Sequence, residues 1–161
     1  MQKNVLNDHF YVQKNVSLLT NHVQKNVSNI MERLVLQQLK EWKERKDRKP
    51  LIVNGARQVG KTWALREFAK REYAKEAYII CRKNELVEQV FKQDFNVERI
   101  LLSLSAIINV DITPGDTLII LDEVQEIPEA IEALKYFCEN AHEYHIAVAG
   151  SLLGISRTMP S

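Results

Sequence analysis

The chain has 161 residues, 45% of them hydrophobic and 27% charged, a length and balance suited to one globular domain with its own core. Twenty-two Lys and Arg against twenty-one Asp and Glu give a net charge of +1, which excludes global electrostatic steering toward nucleic acid or an anionic membrane surface. Cys81 and Cys138, the two cysteines, lack metal-ligand spacing and exclude a disulfide framework, and no apolar run approaches the roughly 20 residues of a membrane span, so a soluble protein of the cytoplasm is expected.

Residues 1–33 hold three copies of an eleven-residue repeat, each carrying Gln-Lys-Asn-Val at the same offset. Eleven residues make three helical turns at about 3.67 residues per turn, so a helix would show each copy on one face. The copies are rich in Asn and short of strong helix formers, and residues 1–27 are expected as a poorly ordered or loosely helical extension without chemistry. Residues 28–161 are expected to form the domain proper. Its first element is an amphipathic helix capped by Ser28 or Asn29, with Ile30, Met31, Leu34, Val35, Leu39 and Trp42 at helical spacing. It closes in residues 43–49, five basic and two acidic, before Pro50 stops it. That basic run is the one feature that offers itself to nucleic acid, and a solvated helix end explains it as well.

A short apolar strand follows at 51–54, then a Gly-containing loop, then a helix over 61–73 that turns Trp63, Leu65, Phe68 and Ala69 inward. Further on come a strand at 77–81, helical patterns at 85–91 and 97–108, and the turn Pro114-Gly115-Asp116. Residues 117–121 are a wholly apolar strand. Pro128 opens a helix with Ile131, Leu134 and Phe137 on one side, and a fourth strand at 146–149 ends at Gly150-Ser151. Strands alternating with helices specify an α/β domain, a parallel sheet with both faces covered in three αβα layers.

Two segments carry chemistry. Gly55-Ala56-Arg57-Gln58-Val59-Gly60-Lys61-Thr62 matches G-x-x-x-x-G-K-[ST], between a strand and a helix, where glycines let successive backbone N–H groups converge on phosphate oxygens. Lys61 would reach the β- and γ-phosphates, Thr62 would place its hydroxyl on Mg²⁺, and the helix would aim its positive N-terminus at the same anion. Trp63, next along, joins the nucleotide-contacting set. About 60 residues later, Leu118-Ile119-Ile120-Leu121-Asp122-Glu123 delivers two carboxylates at the carboxyl end of a buried strand. Asp122 would hold Mg²⁺, directly or through water, and Glu123 would take a proton from, or orient, the attacking water. Ser151, at the end of the fourth strand, could hydrogen-bond that water or the γ-phosphate. His142 and His145 lack the H-E-x-x-H spacing and are not expected to hold a metal, and the cysteines are expected as packing residues.

Together these residues resemble the AAA family of P-loop ATPases, in particular a prokaryotic group of predicted ATPases with a Walker A of the form GARQVGKT, a Walker B of the form LDEIQ and a closing GS; here they read GARQVGKT, LDEVQ and AGS. The resemblance implies binding of ATP with Mg²⁺, hydrolysis to ADP and phosphate, and a fourth strand inserted between those bearing the two Walker motifs. It implies no particular task for the ATP. Members of the group continue past this strand with a fifth core strand and further helical parts. Ten residues follow Ser151 here, so a C-terminally shortened domain without last strand and lid is expected, its P-loop strand on an open edge. Arg57 lies inside the loop and Arg157 in the tail, leaving no evident arginine finger, whose loss costs about 10³ to 10⁵ in rate. The rival reading is hence a catalytically inert nucleotide-binding remnant that acts, if at all, by self-association or through a partner protein. A GTP switch is excluded by the absence of Asn-Lys-x-Asp and by Gln125 where a Gly would stand.

Overall fold

In the computed structural model, residues 21–55 and 60–151 are described, with side chains from residue 28 onward. The repeat before residue 21, Ala56, Arg57, Gln58 and Val59, and residues 152–161, with the expectations stated for them, lie outside the described residues.

A helix, α1 (Asn21–Glu44), precedes the first strand, β1 (Leu51–Gly55). The expected cap at Ser28 or Asn29 is not there, since both residues are interior to α1. No Gly or Pro separates the last repeat copy from the amphipathic stretch, and an eleven-residue period is commensurate with a helix, so nothing local interrupts it. The apolar face is also shorter than the spacing suggests. Leu39 and Trp42 are buried, whereas Ile30 and Leu34 are 57% and 51% exposed.

Next come α2 (Lys61–Glu72), β2 (Lys75–Ile80), α3 (Glu85–Gln93), α4 (Val97–Ile108) and β3 (Thr117–Asp122). Asn84 and Asn96 cap α3 and α4, each side-chain oxygen accepting the backbone N–H three residues on, from Val87 and Arg99. A 3₁₀ turn (Val124–Glu126), α5 (Pro128–Asn140) with Pro128 in its first turn, and β4 (His145–Ser151) complete the order. Within the described residues no helix is long and apolar enough to cross a membrane.

All four strands run parallel in the order β1-β4-β3-β2. The last strand in sequence thus lies between the strand that leads into the loop and the strand that ends in Asp122. β1 pairs with β4 alone among the described strands and is an edge. The two-residue alternation divides the core. Leu118, Ile120, Ala147 and Ala149 meet Leu39 and Trp42 of α1 and Leu65, Phe68 and Ala69 of α2. Ile119, Leu121, Ile146 and Val148 turn the other way, onto α3, α4 and α5 through Val90, Leu104 and Phe137. Both sides of β3 are buried, so its run is continuously apolar rather than alternating. Each fully buried Leu, Ile or Phe contributes about 1.5–3 kcal/mol relative to exposure, and the parallel pairing puts the carboxyl ends of the strands at one end of the sheet.

Candidate functional site

The carboxyl ends of β1, β3 and β4 bring together, of the sequence candidates, Gly55, Lys61, Thr62, Asp122, Glu123 and Ser151. Gly60 precedes α2 with φ +81°, a left-handed conformation that glycine adopts without penalty. α2 then starts at once, so Lys61 and Thr62 occupy its first turn, where backbone N–H groups lack intrahelical partners. Lys61 Nζ reaches back to donate to the carbonyl of Gly55 at 2.9 Å. Partial burial lowers the pKa of this ammonium, and the carboxylates of Glu123 and Asp122 push the other way.

Leu118, Ile120 and Asp122 share one face of β3, so the Asp122 side chain points to the α2 side of the sheet. There its Oδ2 accepts the Thr62 hydroxyl at 2.9 Å, joining residues sixty positions apart in sequence. Tyr78 OH, on β2, donates to the same oxygen at 2.8 Å, and Oδ1 accepts the main-chain N–H of Glu123 at 2.9 Å. Burial first, and the bond to Asp122 second, raise the Tyr78 hydroxyl to about 12. Sequence reasoning missed Tyr78, because its place beside Asp122 depends on strand register.

Glu123 leaves the strand in a left-handed conformation, φ 52°, rare for a residue with a side chain. Its carboxylate accepts a hydrogen bond from Gln125 Nε2, and the Gln125 side-chain oxygen accepts the main-chain N–H of Ser151 at 3.3 Å. Glu123 and the end of β4 are thereby joined through one amide. Trp63 departs from expectation: it is 51% exposed rather than turned inward. The buried stripe of α2 is Leu65, Phe68 and Ala69, and Trp63 sits about 200° around the helix from Leu65, off that stripe. Its indole instead lines a cavity of about 270 Å³ between α1 and the start of α2, walled by Met31, Val35 and Leu36 and floored by Gly60 and Lys61.

At the opposite end of the sheet, His145 is buried and meets Tyr73 OH through Nδ1 at 2.7 Å, with Trp42 edge-on to its ring. Burial pushes its pKa down to about 4, assisted by the positive charges of Arg48, Lys43 and His142. Cys81 is buried too, and its thiol is pushed up to about 12, which makes it a packing residue rather than a nucleophile.

The donor set of Thr62 hydroxyl and Asp122 carboxylate consists of hard oxygens, the kind a Mg²⁺ that keeps several waters and binds substrate phosphates requires. Among the described residues no cluster of three or more His, Cys, Asp or Glu forms a dedicated metal cage. The residues present fit a cation shared with phosphate.

Comparison with known proteins agrees with this geometry. The family model described as AAA domain matches residues 47–159, more than half of the chain. No curated protein matches it. The match takes in β1 to β4 and every residue of the arrangement around Asp122, and the chain belongs to the AAA domain family.

Proposed function

We propose that this domain binds ATP with Mg²⁺ where β1, β3 and β4 end and hydrolyses it to ADP and phosphate. The observation that carries the reading is the 2.9 Å bond between Thr62 Oγ1 and Asp122 Oδ2. It sets a hydroxyl at a helix N-terminus against a carboxylate at a strand end, two oxygens that Mg²⁺ and a phosphate chain can share. In this reading, backbone N–H groups of residues 55–62 and the Lys61 ammonium take the phosphates, with Gly55, Ala56, Arg57, Gln58, Val59 and Gly60 shaping the cradle. Thr62 and Asp122 would hold the cation. Bound Mg²⁺ neutralises charge on the phosphate oxygens.

Glu123 is the base of the proposed reaction. Its carboxylate takes a proton from water as the water oxygen bonds to the γ-phosphorus and the bond from that phosphorus to the β,γ-bridging oxygen breaks. Ser151 stands at the neighbouring strand end, where its side chain would meet the water or the γ-phosphate. In this reading the base of the nucleotide would enter the cavity between α1 and α2. The cavity beside Lys61 is lined mostly by apolar side chains and by Trp63, with Ser28 and Glu32 as polar groups on its wall, a lining suited to a ring system entering behind an anion.

Thermal unfolding of the full chain tests the proposal. Saturation with Mg-ATP at about 100 times its Kd stabilises by about 2.7 kcal/mol and raises Tm. Lys61→Ala is expected to abolish the rise. An unchanged melting curve for the natural sequence at millimolar Mg-ATP sinks the reading.

A further inference from the structure

Among the described residues three donors reach the Asp122 carboxylate, and one of them comes from a strand that bears none of the residues the loop or the strand-end carboxylates brought into view. β2 pairs with β3 so that Tyr78 stands opposite Ile120. Asp122 is two positions further along the same face, a diagonal neighbour roughly 7–8 Å away at the backbone, within reach of a tyrosine. The hydroxyl closes that diagonal at 2.8 Å. The ring is itself braced: the Arg66 guanidinium lies 4.6 Å from its centroid, and Arg66 Nε is paired with Glu76 Oε1 at 2.7 Å. Thr62 and Arg66 are one helical turn apart on α2, so one helix face supplies both the hydroxyl that meets Asp122 and the cation that holds Tyr78.

Rotation of a carboxylate about its last torsion is soft, and an aspartate fixed at one oxygen alone can turn the other away. Here Oδ2 is gripped from two directions, by Thr62 and by Tyr78, while Oδ1 is tied to the backbone of Glu123. We propose that Tyr78 is a positioning residue for the cation: its hydroxyl sets the plane of the Asp122 carboxylate so that Asp122 and Thr62 present oxygens to one Mg²⁺, with Arg66 holding the tyrosine ring in place. This rests on the Mg-ATP reading above. Partners in the outer shell of a metal ligand are worth about 10–100-fold in metal affinity.

The test is a Mg²⁺ titration of the full chain at fixed ATP, reading the rise in Tm, beside ATP binding in EDTA by calorimetry. Tyr78→Phe keeps the ring and the Arg66 contact and removes the hydroxyl alone. It is expected to raise the Mg²⁺ concentration at half-maximal response about 10-fold and to leave ATP binding in EDTA unchanged. An unshifted Mg²⁺ midpoint overturns the role of Tyr78 while leaving the Mg-ATP reading intact. A natural chain that binds ATP equally with and without Mg²⁺ overturns the cation reading and the proposal with it. Should Tyr78→Phe fail to fold, Arg66→Ala decides: a midpoint raised by a smaller factor supports the proposal, and an unmoved one refutes it.

Discussion

Gln125 holds Glu123: its amide nitrogen donates to the Glu123 carboxylate while the amide oxygen accepts the N–H of Ser151 at 3.3 Å, so one side chain ties the end of β3 to the end of β4. A general base must keep its position to within a fraction of an ångström of the proton it takes. Gln125→Ala releases the carboxylate and is expected to lower turnover roughly 10- to 100-fold with little change in ATP affinity. Steady-state hydrolysis beside equilibrium binding checks it, and full activity in the variant would mean that Glu123 is positioned by other contacts.

Glu123→Gln separates binding from chemistry. The amide is nearly isosteric and cannot accept a proton, so the variant is expected to keep the Mg-ATP rise in Tm and lose hydrolysis by about 10²–10⁴-fold. Equal inactivity of the natural chain and the variant, with binding intact in both, would instead identify a nucleotide-binding module without turnover.

The cavity between α1 and α2 should distinguish a nucleotide from its phosphates. Val35 lines it beside Trp63, and Val35→Trp fills it. ATP affinity is expected to fall about 10-fold or more, the worth of at least 1.4 kcal/mol, while inorganic tripolyphosphate binds as before. Competition between the two ligands on the natural and substituted chains measures this, and an equal loss for both would move the base elsewhere.

His145 sets a limit on acid stability. Its folded pKa, about 4, lies below the ordinary value near 6.5, so between those values the unfolded chain binds a proton that the folded chain refuses. The contribution of His145 to stability is therefore flat above about pH 6.5 and falls as pH drops toward 4, by on the order of 2 kcal/mol once solvent screening is allowed for. The neutral ring keeps its 2.7 Å hydrogen bond between Nδ1 and Tyr73 OH, and Arg48, Lys43 and His142 all oppose a charge there. Denaturant unfolding at pH 7 and pH 4.5 gives the loss, and His145→Gln is expected to flatten it. An undiminished slope in the variant would assign the loss to carboxylates.

How much of this was readable beforehand differs from residue to residue. The apolar run Leu118-Ile119-Ile120-Leu121 could only be a strand buried on both faces, and Asp122 and Glu123 had to emerge where it ends. The alternation of elements gave the parallel sheet. Register was not written in any local pattern, so Tyr78 could not be placed against Asp122, although the two stand diagonally on neighbouring strands. Trp63 was misread because a single apolar residue at the mouth of a helix says little about which way the helix is rolled. Leu65, Phe68 and Ala69 decide the roll together, and Trp63 follows them outward. Ile30 and Leu34 mislead for the same reason, since spacing marks a face without saying whether anything covers its whole length.

The position of β4 in the sheet has a consequence in time. Leu51 pairs with Ala147, and Gly55 with Ser151, across almost the whole domain. Parallel pairings between such distant segments form slowly, because the chain must close a long loop before any contact rewards it. During synthesis, at about 5–20 residues per second, β1 emerges seconds before its only partner among the described strands. Through that interval the segment that follows β1 has no paired strand to hold it, and in the proposed reading ATP would capture the domain only once β4 has taken its place between β1 and β3.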